Sequence, residues 1–413
     1  MKSSDPTRAE FVVSASATAL GATLLGAQSA SAQTATPPAD ATVTSPAPAP
    51  PASPPPAPGV TSAPKPPAHD LETPIEYLNT WITPNDLHFV RAHYGPPSAY
   101  PDLNLWRLAV NGDASNPLSL SIFDLRTQFE PVSVTAVCQC AGNGRGLFTP
   151  RASGAQWTYG GVGNARWTGV RLSDVLDRAQ IDPATKFLVV SGADRPANPN
   201  APQVVRALPI DKARDKNTLL AYDMNGEALP FLHGSPLRVI APGWYGNHWM
   251  KWLTNLEARV NGQLEDVGFW VAVAYRIPNQ PATPGVPILP ADTHIVTQMD
   301  VKSEILTPLD GDIVRANAPL FVQGVAWSGV PSVRLVEISV DGGPWHAAEL
   351  QTNAPPYAWQ QFSYTFSPSE GAHVIAARAT DETGAVQPIS GVWNPAGYMY
   401  NGIMRVSVEA RTD

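Results

Sequence analysis

Thirteen prolines fall between positions 37 and 67, interleaved with Ala, Ser and Thr, and they divide the chain before any fold is considered. Proline fixes φ and has no N–H to donate, and its small neighbours bring little apolar surface to bury. Residues 33–69 are therefore expected to form an extended, disordered Pro/Ala-rich linker near polyproline II. Packed structure is expected from Asp70 onward, and a chain of 413 residues leaves room there for two domains.

Ahead of the linker, Lys2 and Arg8 flank the start of an apolar, small-residue stretch from Phe11 to Leu25. Ala30-Ser31-Ala32 follows the small-x-small rule for a cleavage site, so residues 1–32 read as a signal peptide and the mature chain is expected to begin near Gln33. Thr7-Arg8-Ala9-Glu10-Phe11 resembles the twin-arginine (Tat) signal, with Ala9 in place of the second arginine. Export to the periplasm, by that route, is the expectation. The formal net charge of −8 argues against a nucleic-acid partner and suits a basic protein partner. No apolar run reaches the roughly 20 residues of a membrane span. The two cysteines, Cys138 and Cys140, are too close in sequence for an unstrained bridge, so no disulfide framework is expected.

Residues 70–295 mix helical and strand patterns without regular βαβ repetition. Leu172, Val175 and Leu176 stand at i, i+3 and i+4, which predicts a helix. Phe187-Leu188-Val189-Val190 and Leu237-Arg238-Val239-Ile240 predict buried strands, and Asn111-Gly112 and Asn225-Gly226 predict turns. This is an α+β pattern. Residues 296–413 are different. Leu320 to Val325, Val333 to Val340, Phe362 to Phe366 and His373 to Thr380 read as short strands, with Asp341-Gly342-Gly343 as a turn. That spacing predicts an all-β, immunoglobulin-like sandwich, held by packing because it contains no cysteine.

The chemistry concentrates in Val137-Cys138-Gln139-Cys140-Ala141-Gly142-Asn143-Gly144-Arg145. A thiolate is a soft metal ligand, Gly142 and Gly144 permit close backbone approach to a bulky ligand, and Arg145 would favour the thiolate form. Taken alone, such a cysteine is more often a small buried hydrophobe than a metal ligand.

The rest of the chain supplies context. Phe89-Val90-Arg91-Ala92-His93 precedes the cysteine loop, and Gly163-Asn164-Ala165-Arg166-Trp167 follows it. Then come Tyr222-Asp223-Met224-Asn225-Gly226, His233-Gly234-Ser235-Pro236-Leu237-Arg238, Gly243-Trp244-Tyr245-Gly246 and Met250-Lys251-Trp252. Val325-Ala326-Trp327-Ser328-Gly329 lies in the C-terminal region. This ordered set resembles the sulfite oxidase family of molybdenum enzymes.

The resemblance implies a molybdopterin-binding catalytic domain over residues 70–295 and an Ig-like dimerisation domain over residues 296–413. It implies one molybdenum–molybdopterin per chain, with Cys140 as the protein's metal ligand. Phe89, Val90, Arg91, Ala92, His93, Asp194, His233, Arg238, Trp249, Met250 and Lys251 match pterin-binding positions. Arg91, Arg145 and Tyr275 match the substrate pocket, where guanidinium groups suit an oxyanion. Cys138 has no counterpart and is expected to be a packed or locally exposed thiol. Ala396, in Trp393-Asn394-Pro395-Ala396-Gly397, stands where animal members carry a substrate arginine. No Cys-x-x-Cys-His occurs, so no haem is expected on this chain. The implied activity is oxidation of sulfite to sulfate by oxygen-atom transfer at molybdenum(VI). Electrons would go to a separate c-type cytochrome, from a homodimer or a heterodimer with a haem subunit. Two other readings stay open: a sulfane dehydrogenase subunit of a thiosulfate-oxidising complex, and a degenerate pterin-fold protein that binds a partner without catalysis. Nitrate reduction is a weaker option, because the reductase modules it usually needs have no counterpart here.

Overall fold

The computed structural model describes residues 70–97, 101–196 and 198–412. The expected signal peptide and linker lie outside the described residues. No described helix is long and apolar enough to cross a membrane.

The first module rests on two five-stranded sheets. One runs Glu227–Ala228, Leu219–Met224, Val162–Arg171, Pro131–Gln139, with Arg238–Ile240 also paired to Leu219–Met224. All its pairings are antiparallel. The other runs Leu118–Leu120, Leu108–Gly112, Leu253–Arg259, Phe187–Gly192, Val205–Pro209. Its Leu108–Gly112 and Leu253–Arg259 strands are parallel, joining segments far apart in sequence.

Helices are few and short. Leu172–Ala179 buries Leu172, Val175, Leu176 and Ala179, the i, i+3, i+4, i+7 stripe that an amphipathic helix turns toward a core. It ends at Gln180 in the left-handed conformation, a common helix stop. Ile122–Gln128 starts with a capping box, in which Ser121 accepts from the Asp124 N–H and Asp124 accepts from the Ser121 N–H. Asn111 and Gly112 do not form the expected free turn. They end the Leu108–Gly112 strand and pair with Glu257 and Ala258. Here the long-range pairing overrides a local turn signal.

The second module is the sandwich the strand spacing predicts. One sheet runs Lys302–Thr307, Leu320–Trp327, Gln360–Phe366, Glu349–Leu350. Its partner runs Asp312–Arg315, Arg405–Arg411, Gly371–Asp381, Val333–Val340, His346–Ala347. Val322, Val336, Ile338, Phe362, Ile375 and Val406 are among the fully or nearly fully buried residues between them. Asp341 and Gly342 both take positive φ, 54° and 70°, as a two-residue hairpin turn requires. The two modules share an apolar core in which Val137, Val162 and Tyr275 pack with Val325, Trp327 and Trp359.

Candidate active site

The strand Pro131–Gln139 delivers Cys138 near its end and Cys140 just beyond it. Both cysteines are free and buried. The Cys140 N–H donates to the Gly161 carbonyl at 2.8 Å, and the Asn143 N–H donates to the Cys140 carbonyl at 2.9 Å, closing a tight turn. Gly142 serves this turn in an unexpected way. A Cβ there would lie 2.9 Å from the Arg145 guanidinium, so the close approach is to the chain's own arginine.

The sandwich module holds this segment at several points. The Val137 N–H donates to the Tyr357 carbonyl at 2.9 Å, and the Ala141 carbonyl accepts from the Met399 N–H at 2.8 Å. Trp327 Nε1 donates to Gln139 Oε1 at 2.8 Å. Arg145 Nε donates to the Ala396 carbonyl at 3.0 Å. The position of Cys140 is therefore set by both modules.

A cleft of about 720 Å³, counting the open solvent at its mouth, lies beside the cysteines. One end is cationic and rich in rings. Arg238 is buried, donates to the carbonyls of His233 at 2.9 Å and Trp249 at 3.3 Å, and sits 4.8 Å from the Trp167 ring. Lys251 Nζ donates to the Leu232 carbonyl at 2.8 Å; burial, reinforced by Arg238, pulls its pKa down to about 7. His233 Nε2 bonds the Asn85 carbonyl at 2.8 Å, and burial keeps its ring neutral. Asp194 faces the same space with its pKa pushed up to about 6 by burial. Trp249 and Met250 line the wall.

The other end is built around Tyr275. This residue has φ 54°, a left-handed conformation that an aromatic residue rarely adopts. Its hydroxyl bonds His93 Nε2 at 2.7 Å. Arg91 lines the cleft nearby, tied to Asp70 at 3.0 Å and to the Ala92 carbonyl at 2.6 Å. Burial raises the Cys140 pKa although Arg91 and Arg145 oppose it, so the free site holds a thiol rather than the thiolate expected from Arg145 alone. Cys138 is buried, its pKa lifted to about 11 by burial, and it also lines the cleft beside Arg238.

Of the residues singled out from sequence, Phe89, Arg91, Ala92, His93, Cys138, Cys140, Asp194, His233, Arg238, Trp249, Met250, Lys251 and Tyr275 line this one cleft. Val90 does not; it is a buried strand residue beneath the wall. Arg145 also does not reach the cleft. Its guanidinium is held by the carbonyls of Ala396 and Ala155, each at 3.0 Å, and lies 5.0 Å from the Tyr398 ring. It contributes charge from behind the wall. His93, expected with the pterin set, is bonded instead to Tyr275.

Sequence reasoning missed His88, Arg206 and Tyr398. His88 lines the cleft because Gly163 leaves room for it; a Cβ on Gly163 would lie 2.5 Å from the ring. Tyr398 stacks on Tyr275. Arg206 lies against the Tyr275 ring from within an apolar strand, and a charge inside such a run was the available signal.

Four buried polar atoms of cleft residues have no hydrogen-bond partner within the chain: His88 Nε2, Asp194 Oδ1, Arg238 Nε and Asn247 Oδ1. Buried polar groups are normally satisfied, so these mark a place for a polar ligand. Among the described residues, no three His, Cys, Asp or Glu side chains converge as a metal site. A metal beside Cys140 would need most of its donors from an organic group.

Residues 93–265 match the oxidoreductase molybdopterin binding domain family, and residues 293–411 match the Mo-co oxidoreductase dimerisation domain family. Mitochondrial sulfite oxidase of Mus musculus is 34% identical over 362 residues, covering 82% of this chain and 63% of that protein. The chain thus spans less than two thirds of that relative's length. Sulfite oxidase of Arabidopsis thaliana is 30% identical, with 80% of this chain and 88% of that protein covered. NAD(P)H nitrate reductase of Hordeum vulgare is also 30% identical, but only 39% of it is covered. Among solved structures, the sulfane dehydrogenase SoxCD of Paracoccus pantotrophus superposes with a TM-score of 0.70 at 32% identity, covering 82% of this chain and 84% of that one.

Proposed function

The chain belongs to the sulfite oxidase family of molybdopterin oxidoreductases, and on that premise we propose that it oxidises sulfite to sulfate and passes the electrons to a separate c-type cytochrome. The observation that carries this reading is the two-ended cleft: Arg238, Lys251 and His233 at one end, Arg91 with the His93–Tyr275 pair at the other, and Cys140 on its wall.

The cleft fits a molybdopterin. Its unsatisfied polar atoms suit a hydrogen-bonding heterocycle, its cationic end suits a phosphate, and its buried thiol suits a metal that brings further sulfur donors. When bound, the molybdenum group supplies oxygen-atom transfer and two-electron storage. Cys140 would give up its proton to become the protein's ligand. Arg238, Lys251 and His233 would hold the phosphate, and Asp194 and His88 would meet the heterocycle's polar edge. Arg91 would receive the oxyanion at the open end. The Tyr275 hydroxyl, aligned by His93, would donate a hydrogen bond at the reacting position. Arg145 would add positive charge without contact.

One observation favours a second reading, a sulfane dehydrogenase subunit. Ala396 brings no cation to the anion end, and its carbonyl is instead used by Arg145. The neighbour SoxCD, a sulfane dehydrogenase, matches over most of its length. A non-catalytic pterin-fold protein is disfavoured by the intact donor set. The experiment is sulfite-dependent reduction of cytochrome c by the purified chain, beside a molybdenum measurement. Turnover with about one metal per chain supports the first reading. Turnover only with a protein-bound sulfur substrate supports the second, and a metal-free folded chain supports the third.

Export rests on residues 1–32, and a mature N-terminus away from Gln33 would count against it. Homodimerisation through the sandwich is supported by exposed apolar residues there, including Ile313, Phe321 and Ile389. Mass measurement in solution, with and without a haem protein, tests it.

A further inference from the structure

Three arginines are buried among the described residues: Arg145, Arg206 and Arg238. None of them has a carboxylate partner, although Arg91, Arg126, Arg214, Arg276 and Arg378, all more exposed, do. Proteins rarely bury a guanidinium without a counter-charge, because desolvation is repaid only by pairing. Arg238 lines the phosphate-type end of the cleft and Arg145 backs the cysteine loop. Arg206 is the third, and neither the cofactor reading nor the substrate reading above uses it.

Arg206 lies in the strand Val205–Pro209, between the buried residues Val204, Ala207 and Leu208, with 2% of its surface exposed. Its NH1 donates to the Trp270 carbonyl. Its NH2 lies 3.4 Å from His248 Nε2. That contact is weak as a hydrogen bond, because His248 Nε2 also faces the Val296 carbonyl at 2.9 Å and so carries the ring proton itself. Nε has no partner. The guanidinium carbon is 5.1 Å from the centre of the Tyr275 ring, whose hydroxyl bonds His93 inside the cleft. Burial lowers the Arg206 pKa only to about 10, so the group is charged at neutral pH.

We propose that Arg206 is a positioning residue of the anion end, fixing the Tyr275 ring from behind the cleft wall and supplying positive field that draws an oxyanion of the sulfite and sulfate class toward Arg91. This rests on the anion-oxidising reading above. The charge is fixed before the ligand arrives, in a site of low dielectric, so it strengthens anion binding without reorganisation. Its counter-charge is the ligand itself. The proposal also separates two properties that usually move together. The unpaired cation burdens the fold while serving the site, so an apolar residue of similar length should relieve the first and harm the second.

The test uses the molybdenum-loaded protein with inorganic sulfate as probe, measured by titration calorimetry and as competition against sulfite. In Arg206→Met, sulfate affinity should fall by about ten-fold or more and the sulfite KM should rise similarly, with kcat changed less. The melting midpoint should hold or rise. Arg206→Lys should recover most of the affinity, since it keeps the charge. A purely structural role predicts the reverse pattern, a lower midpoint with sulfate affinity unchanged, and that result overturns the proposal. Equal weakening in the Lys and Met variants overturns it too. If wild type oxidises sulfite but sulfate does not compete, the anion end is refuted while the activity stands. If sulfite is not oxidised yet sulfate still distinguishes Met from wild type, the activity is refuted while the role of Arg206 stands.

Discussion

The rings of Tyr275 and Tyr398 are stacked, 5.0 Å between centres and 12° from parallel. One ring comes from the first module and the other from the segment that precedes the last strand of the sandwich. The contact braces a residue that needs bracing, because Tyr275 holds a strained left-handed conformation. An aromatic pair of this kind contributes about 1 kcal/mol beyond its buried area. Tyr398→Leu should therefore loosen the Tyr275–His93 hydrogen bond and lower kcat/KM by roughly ten-fold, with a smaller effect on the melting midpoint. Steady-state sulfite kinetics beside a thermal melt checks this; unchanged kinetics would remove Tyr398 from the site.

Cys140→Ser removes the soft donor and leaves a hydroxyl that hardly ionises at neutral pH. The variant should fold, since a serine fits the same turn, which is closed by the backbone bonds of residues 140 and 143 and by Asn143 Oδ1 accepting from the Gly161 N–H. Sulfite turnover should vanish and metal content should drop. Circular dichroism and metal analysis on one sample separate the two effects. Ordinary turnover in this variant would refute the ligand assignment. Cys138→Ser, by contrast, should retain activity within a few-fold, because that thiol, although at the cleft wall, stays protonated with a pKa near 11 and a serine hydroxyl fills nearly the same space.

Much of this was readable in the chain. The stripe of Leu172, Val175 and Leu176 became a helix, and Val333–Val340 became a strand with the bounds its alternation suggests. Local periodicity decides such elements, so local sequence reveals them. Most residues placed in the cleft by family resemblance also lie there, since their spacing in sequence follows the strands that carry them. What stayed hidden depends on long-range packing. Arg145 turns away from the cleft toward a carbonyl 251 positions later, and nothing near residue 145 signals that bond. The same holds for Trp327 on Gln139 and for the parallel pairing that claims Asn111-Gly112.

Lys302 and Glu304 form a fully buried ion pair, 2.9 Å apart with side chains 1% and 0% exposed. They stand two residues apart on one strand and so share a face, turned toward Trp327, Tyr159 and Tyr400 and close to Asn143 of the cysteine loop. Glu304→Leu leaves Lys302 buried and unpaired, at a cost of about 3–5 kcal/mol. Adding Lys302→Met should recover most of that loss, because replacing both charges with apolar groups is often neutral. Urea denaturation of the two variants checks the sign. A double variant no more stable than the single one would show that the pair matters for something other than mutual compensation.

Asp300 gives the chain a distinct pH signature. It lies in the segment between the modules, near Asp381, and burial followed by that second carboxylate pushes its pKa up to about 6. A raised folded-state pKa means the folded chain holds this proton more tightly than the unfolded chain, whose value is near 3.9. The resulting stabilisation is complete below about pH 4 and is lost as pH rises through about 6. Asp300→Asn removes the penalty of an ionised group at neutral pH. Its gain in stability should reach about 2 kcal/mol at roughly pH 8 and vanish at roughly pH 4. Denaturant midpoints of both proteins across that range measure the difference directly. A gain that does not vary with pH would assign the effect to packing rather than to the proton.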